Sequence, residues 1–116
     1  MGSFTEEQED LQPERVAELL REGQVQLVDI REDYEHEAGR IAGDRHIVMD
    51  RLPAEADSLG GEQPIVFYCR TGSRSAVATQ AFRASGREAY NLDGGIVAWV
   101  ERGLPIEPDD GEIAPH

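Results

Sequence analysis

Two rhythms of apolar and polar positions alternate along the chain. In "LQPERVAELLREG", Val16, Leu19 and Leu20 fall at helical spacing, with Pro13 suited to a first turn and Gly23 to the stop. "VQLVDI" then reads as a strand, "IVM" at 47–49 is a candidate short strand, and "RLPAEADSLGG" allows a short helix ending in a turn. "PIVFY" at 64–68 is a near-continuous apolar run, the pattern of a strand buried on both faces of a parallel sheet. "RSAVATQAFRASG" predicts a helix with Ala78, Ala81 and Phe82 buried and Gly86 at its stop. "EAYNL" predicts a strand, and "GGIVAWVERGLP" a helix with Ile96, Trp99 and Val100 on one face and Gly103 after it. Strands alternating with helices in units of this length predict an α/β domain with a mainly parallel sheet.

The polar ends bound this region. The sequence divides into an acidic arm over residues 1–10, a domain over 11–107 and a flexible acidic tail over 108–116. The start "MGSFTEEQED" lacks the basic and apolar regions of a signal peptide, and no apolar run approaches the roughly 18 residues that span a bilayer. A soluble, cytoplasmic protein is therefore the default expectation.

Charge narrows the partners. With 24 acidic and 11 basic residues the net charge is −13, which argues against nucleic acid or an anionic membrane. Every basic residue is arginine, a composition that fits either a salt-adapted source or an arginine-biased genome. Cys69 is the single cysteine, so no internal disulfide forms. The three histidines, His36, His46 and His116, offer no structural metal spacing. Neither cofactor nor metal is expected.

Cys69 gives the sequence its chemistry. It ends the buried strand in "VFYCRTGSRSA", just before a helix start, where open parallel sheets bind ligands. Amides of a tight loop containing Gly72, together with the helix dipole, Arg70 and Arg74, should favour the thiolate, the form that attacks. The plainer reading is a small buried side chain at a strand end.

Cys69, Arg70, Thr71, Gly72, Ser73 and Arg74 resemble the six-residue active-site loop of the rhodanese superfamily of sulfurtransferases. Three further segments agree in order: "VQLVDIRE", "YEHEAGRIAGDRHIVMDRL" and "NLDGGIVAWVERGLPIE". The resemblance covers roughly residues 11–107 and implies a five-stranded, mainly parallel sheet with helices on both faces. It also implies a reaction: Cys69 takes a sulfane sulfur from thiosulfate or a similar donor and passes it to cyanide, a thiol or a protein acceptor. The loop from Arg70 to Arg74 would hold substrate and persulfide, with Arg70, Arg74 or both attracting the anionic donor; the alternative for either arginine is a surface salt bridge.

Cysteine phosphatases place five residues between nucleophile and arginine, whereas four separate Cys69 from Arg74. The shorter ring of amides suits one sulfur atom better than a phosphoryl group, so phosphatase or arsenate reductase chemistry is the weaker expectation. A persulfide-carrying or regulatory binding module is the alternative of another class. The middle segment departs from the family pattern at Arg40, Ala42, Asp44, His46 and Val48. Arg40 could face the site, while His46 is expected as a hydrogen-bonded loop residue. Asp29 is expected to accept loop amides, Arg31 to pair with an acidic neighbour, Asp93 to cap a helix with Gly94 and Gly95, and Trp99 to lie in the core.

Overall fold

The computed structural model describes residues 8–116. Five parallel strands form one sheet: β1 (Asp10–Leu11), β2 (Gln26–Asp29), β3 (Arg45–His46), β4 (Ile65–Tyr68) and β5 (Ala89–Leu92), in the spatial order β1-β5-β4-β2-β3. The helices are α1 (Pro13–Arg21), α2 (Asp33–Ala38), α3 (Leu52–Glu55), α4 (Ser73–Ala84) and α5 (Gly95–Glu101), with 3-10 turns at Met49–Arg51 and Ala56–Ser58.

The two-residue period of the strands divides the core into two halves. Val66 and Tyr68 of β4 join Tyr90 and Leu92 of β5 on the face covered by Val16 and Leu19 of α1 and Ile96 and Trp99 of α5. Ile65, Phe67 and Cys69 face the other way, onto Leu52 of α3 and Ala78 and Phe82 of α4. There Phe67 and Phe82 meet edge to face with centroids 4.8 Å apart, a contact that adds about 0.5–1.5 kcal/mol to the burial itself. All four residues of β4 are buried, as its apolar run predicts, because β4 lies at the centre of the sheet with helices on both sides.

Several elements differ from expectation. The third strand lies at Arg45–His46 and not at 47–49, since the chain turns into a 3-10 turn at Met49, right after its amide reaches Ile30 O. Asp10 and Leu11, just ahead of the first helix, form β1 at the sheet edge, a strand the apolar pattern does not predict. The α2 helix, which the apolar pattern does not reveal, starts with a reciprocal capping box between Glu32 and Glu35. On α4 the buried stripe is Ser75, Ala78, Thr79 and Phe82, which turns Ala81 to solvent. On α5, Ile96 and Trp99 face the core while Val100 is exposed, and Trp99 Nε1 donates to Pro105 O at 2.8 Å. Asp93 and Gly94 form the expected turn with Gly94 at the N-cap of α5, but the Asp93 side chain does not cap that helix; its carboxylate accepts from Gln12 Nε2 at 2.8 Å.

The two ends lie against this body. Residues 1–7 of the expected acidic arm are outside the described residues, but Glu9 O already accepts from Asn91 N at 2.7 Å beside β1. Along the expected tail, Glu112 N donates to Ala38 O at 2.8 Å, Tyr34 Oη donates to Pro115 O at 3.0 Å and Ile113 packs on the core. A Cβ on Gly111 would stand 2.8 Å from Ala38 O, so glycine permits this approach. No helix among the described residues is long and apolar enough to cross a membrane.

Candidate active site

Strand β4 delivers Cys69 at its carboxyl end, where the side chain is fully buried. Its Sγ accepts from Gly72 N at 3.1 Å and Ser75 N at 3.4 Å, and Ser75 Oγ lies 3.3 Å away. The Ser75 amide belongs to the first turn of α4, where amides have no partner within the helix, so the sulfur occupies a place the helix leaves for an acceptor. Gly72 adopts φ +101°, a conformation glycine reaches without strain, and this bend brings its amide onto the sulfur.

The loop is locked from behind by α5. Ile96 N donates to Cys69 O at 3.0 Å and Val97 N to Arg70 O at 3.1 Å. Gly95 makes this approach possible: a Cβ there would overlap Arg70 O and lie 2.5 Å from Cys69 O.

The loop arginines are in different situations. Arg74 places Nη1 and Nη2 on Glu35 Oε1 and Oε2, each at 2.9 Å. Glu35 is fully buried, and its Oε1 also accepts Glu32 N at 2.9 Å. Burial alone would push this carboxyl up, but the Arg74 hydrogen bonds and charge hold it below the ordinary carboxylate range. Arg74 is held more firmly protonated, chiefly by its hydrogen bonds to Glu35. Its charge is thus largely matched. Arg70 makes no ion pair among the described residues, and its Nε is buried without a hydrogen-bond partner. The unmatched cation of the loop is Arg70.

The remaining expected residues take structural places. Asp29 and Arg31, both fully buried, form a bidentate pair: Arg31 Nε reaches Asp29 Oδ1 at 2.9 Å and Nη2 reaches Oδ2 at 2.8 Å. Asp29 Oδ1 also accepts Arg31 N at 3.0 Å, and Arg31 Nη2 donates to Gly39 O at 2.7 Å. Arg40 turns to His36 O at 3.3 Å, and its backbone pairs with that of Glu107. Thr71 and Ser73 are exposed at the loop rim.

One cluster has the composition of a cation site: Asp29, His36 and His46 bring ligand atoms within 4.8 Å of one another. Its geometry does not suit a shared ion. The imidazoles are stacked 4.2 Å apart at 4°, so no single point lies in both ring planes, where the nitrogen lone pairs are directed. His36 Nδ1 is already on Asp29 Oδ2 at 2.8 Å, and His46 Nε2 donates to Arg31 O at 2.7 Å. The rings brace the end of β2.

Tyr68, on the opposite face of β4 from Cys69, donates to Asp44 Oδ2 at 2.7 Å and accepts from Ile41 N at 3.1 Å. Burial, then the charges of Asp29 and Asp44, hold its hydroxyl well above its ordinary value of 10.0. In strongly alkaline solution the unfolded chain therefore loses this proton while the folded chain keeps it. Stability is fully present below about pH 10 and falls above it, by up to about 1.4 kcal/mol per pH unit. Urea denaturation at successive alkaline pH values should show this fall in the parent and a flatter limb in Tyr68→Phe.

The rhodanese-like domain model matches residues 12–102, most of the chain, including strands β2 to β5 and the cysteine loop. The chain belongs to the rhodanese-like family. A sulfurtransferase of Allochromatium vinosum is 36% identical over 88 residues, covering 75% of this chain and 82% of that protein. An HTH-type transcriptional regulator of Mycobacterium tuberculosis is 40% identical over 106 residues, covering 86% of this chain but 46% of the regulator. This chain thus spans about half of that relative. Among solved structures, a rhodanese-related protein from Thermoplasma volcanium superposes with a TM-score of 0.79 at 25% identity, over 85% of this chain and 97% of that one. Residues missed by the apolar pattern are Glu35, Ser75 and Asn91, all buried polar side chains around the loop. A polar residue inside an otherwise apolar strand, as in "AYNL", is the signal that points to Asn91; Glu35 and Ser75 lie on helices and leave no such mark.

Proposed function

We propose that this rhodanese-like protein is a sulfurtransferase that works through a persulfide on Cys69. The observation that carries the reading is the sulfur's surroundings: Sγ sits at a strand end with the Gly72 and Ser75 amides at 3.1 and 3.4 Å. Those dipoles favour a sulfur anion. The Cys69 thiolate attacks the outer sulfur of thiosulfate, the S–S bond breaks, and sulfite leaves with the electron pair. The resulting persulfide is attacked at its outer sulfur by cyanide or a thiol, which restores the Cys69 thiolate. Arg70 draws the anionic donor, while Gly72 and the neighbouring amides from Thr71 to Arg74 form the ring around the added sulfur. That ring has four residues between Cys69 and Arg74, which favours one sulfur atom over a phosphoryl group.

The test is intact mass after thiosulfate treatment. The parent should gain about one sulfur atom, release sulfite, and form thiocyanate when cyanide is added; Cys69→Ala should do none of these. A folded parent that gains no mass would sink the reading. The likeness to a transcriptional regulator favours a second reading, a domain that carries a persulfide without turning over. It predicts the mass gain with sub-stoichiometric thiocyanate.

Glu35 offers a separate check on electrostatics. Glu35→Gln leaves Arg74 without its counter-charge, adding one net positive charge near Cys69. An attraction of about 0.5–1 kcal/mol should lower KM for thiosulfate about two- to fivefold. An unchanged KM would show that Arg74 does not influence donor binding.

A further inference from the structure

Asn91 stands in the middle of β5 and is buried, on the same face as Ala89 and next to the cysteine loop. Its Nδ2 donates to Gly72 O at 3.2 Å and to Asp10 Oδ1 at 3.0 Å. Both partners only accept, which fixes the orientation of the amide and turns Oδ1 to Ser75 Oγ at 2.5 Å. Oδ1 cannot donate, so the single hydroxyl hydrogen of Ser75 points to Asn91. The lone pairs of Ser75 Oγ then face Cys69 Sγ at 3.3 Å and can accept the hydrogen of a thiol. An anionic sulfur would need a donor from the same oxygen. One hydrogen cannot serve Asn91 and the sulfur at once.

We propose that Ser75 is a positioning residue for Cys69 whose hydroxyl hydrogen lies on Asn91 while the cysteine is a thiol and turns to the sulfur when it becomes an anion. Asn91 sets the resting orientation and competes for that hydrogen. The proton lost from the thiol goes to solvent base, since neither Ser75 nor Asn91 can hold it. The sulfur thereby has a partner of the right polarity in both states, and the Gly72 peptide that also touches it is held by the same Asn91. The charged groups around the sulfur are Arg70 in the loop, Arg74 on α4 with Glu35 on α2, and Asp10 on β1 behind Asn91. None of them hydrogen-bonds Sγ among the described residues.

The proposal rests on the sulfur anion invoked for persulfide chemistry, and its test does not need a sulfur donor. Because Cys69 is the only cysteine, ultraviolet absorbance with Cys69→Ala subtracted reports its ionisation directly. Ser75→Ala removes the donor and should move the midpoint up by about one pH unit. Asn91→Leu removes the competitor and should move it down, by about half a unit. The double variant should follow Ser75→Ala, and Ser75→Thr, which keeps a hydroxyl, should stay at the parent value. Should either replacement melt too low to titrate, Ser75→Gly and Asn91→Ala ask the same question. Shifts of the same sign in the Ser75 and Asn91 variants, or no shift in Ser75→Ala, would overturn the proposal. In turnover, Ser75→Ala should lower kcat about tenfold with KM for thiosulfate unchanged. A parent that gains no sulfur from thiosulfate overturns the functional reading alone, because the titration still reads the sulfur.

Discussion

Asp29→Ala is expected to melt about 10–20 °C below the parent. The reason is what the substitution leaves behind. Arg31 is fully buried, and Asp29 accepts three of its hydrogen bonds. Removing one partner of such a pair strands a charge in the interior and costs about 3–5 kcal/mol, against a total of about 5–15 for a domain. Replacing both partners, Asp29→Leu with Arg31→Met, should recover much of the loss, since no charge is then left unpaired. A second signature is the acid limb. Burial pushes Asp29 up, but the hydrogen bonds and charge of Arg31 outweigh it and hold the carboxyl below its ordinary range. A depressed carboxyl contributes stability above its unfolded value and loses it as pH falls through the folded one. The parent should therefore weaken in that acid window, and Asp29→Ala should show a flatter limb. Thermal melts across acid pH decide the matter; a loss below about 1 kcal/mol in the single variant would show that Arg31 finds water or another acceptor.

The largest effect on sulfur transfer short of replacing Cys69 is expected from Gly95→Ala. One added methyl would push on two carbonyl oxygens, those of Cys69 and Arg70, in a residue whose φ is +64°. The backbone at those positions cannot yield without moving the loop, because α5 holds the same two carbonyls through Ile96 N and Val97 N. Displacement of the sulfur by about 1 Å should slow persulfide formation about a hundredfold. Gly103→Ala is the control: φ is +78° but nothing lies within 4 Å of the added carbon. It should cost about 1–2 kcal/mol of stability and leave the rate unchanged. If the two variants lose activity equally, local strain and not loop displacement is responsible.

What the sequence made legible follows from where the information is stored. The β4 strand and the cysteine loop are readable because a buried central strand must be apolar throughout and a sharp bend must contain glycine, here Gly72 at φ +101°. Both requirements are local. The α2 helix was hidden because its one buried side chain is Glu35, a charged residue whose burial is offset chiefly by Arg74, 39 positions away. The β1 strand was hidden because two residues carry no period, and only pairing with Asn91 and Leu92 makes them a strand. Ser75 and Asn91 escaped for the same reason as Glu35: a search for apolar stripes passes over a polar side chain whose partners are all tertiary. Arg74 was recognised by its spacing from Cys69, but its neutralising partner could be seen only in three dimensions.

The pairing of residues 107–112 with α2 bears on how the site comes into being during synthesis. Glu112 N caps the last carbonyl of α2 at Ala38, and Glu107 and Arg40 exchange backbone hydrogen bonds at 2.7 and 2.9 Å just beyond it. The helix so anchored presents Glu35 to Arg74. The cysteine loop therefore lies in the middle of the chain, while the parts that fix its surroundings come from both ends: Asp10 behind Asn91, and residues 107–112 behind α2. A chain leaving the ribosome emits Cys69 before residues 107–112, which hold the helix that presents Glu35 to Arg74. The cysteine is made before the segment that completes its surroundings.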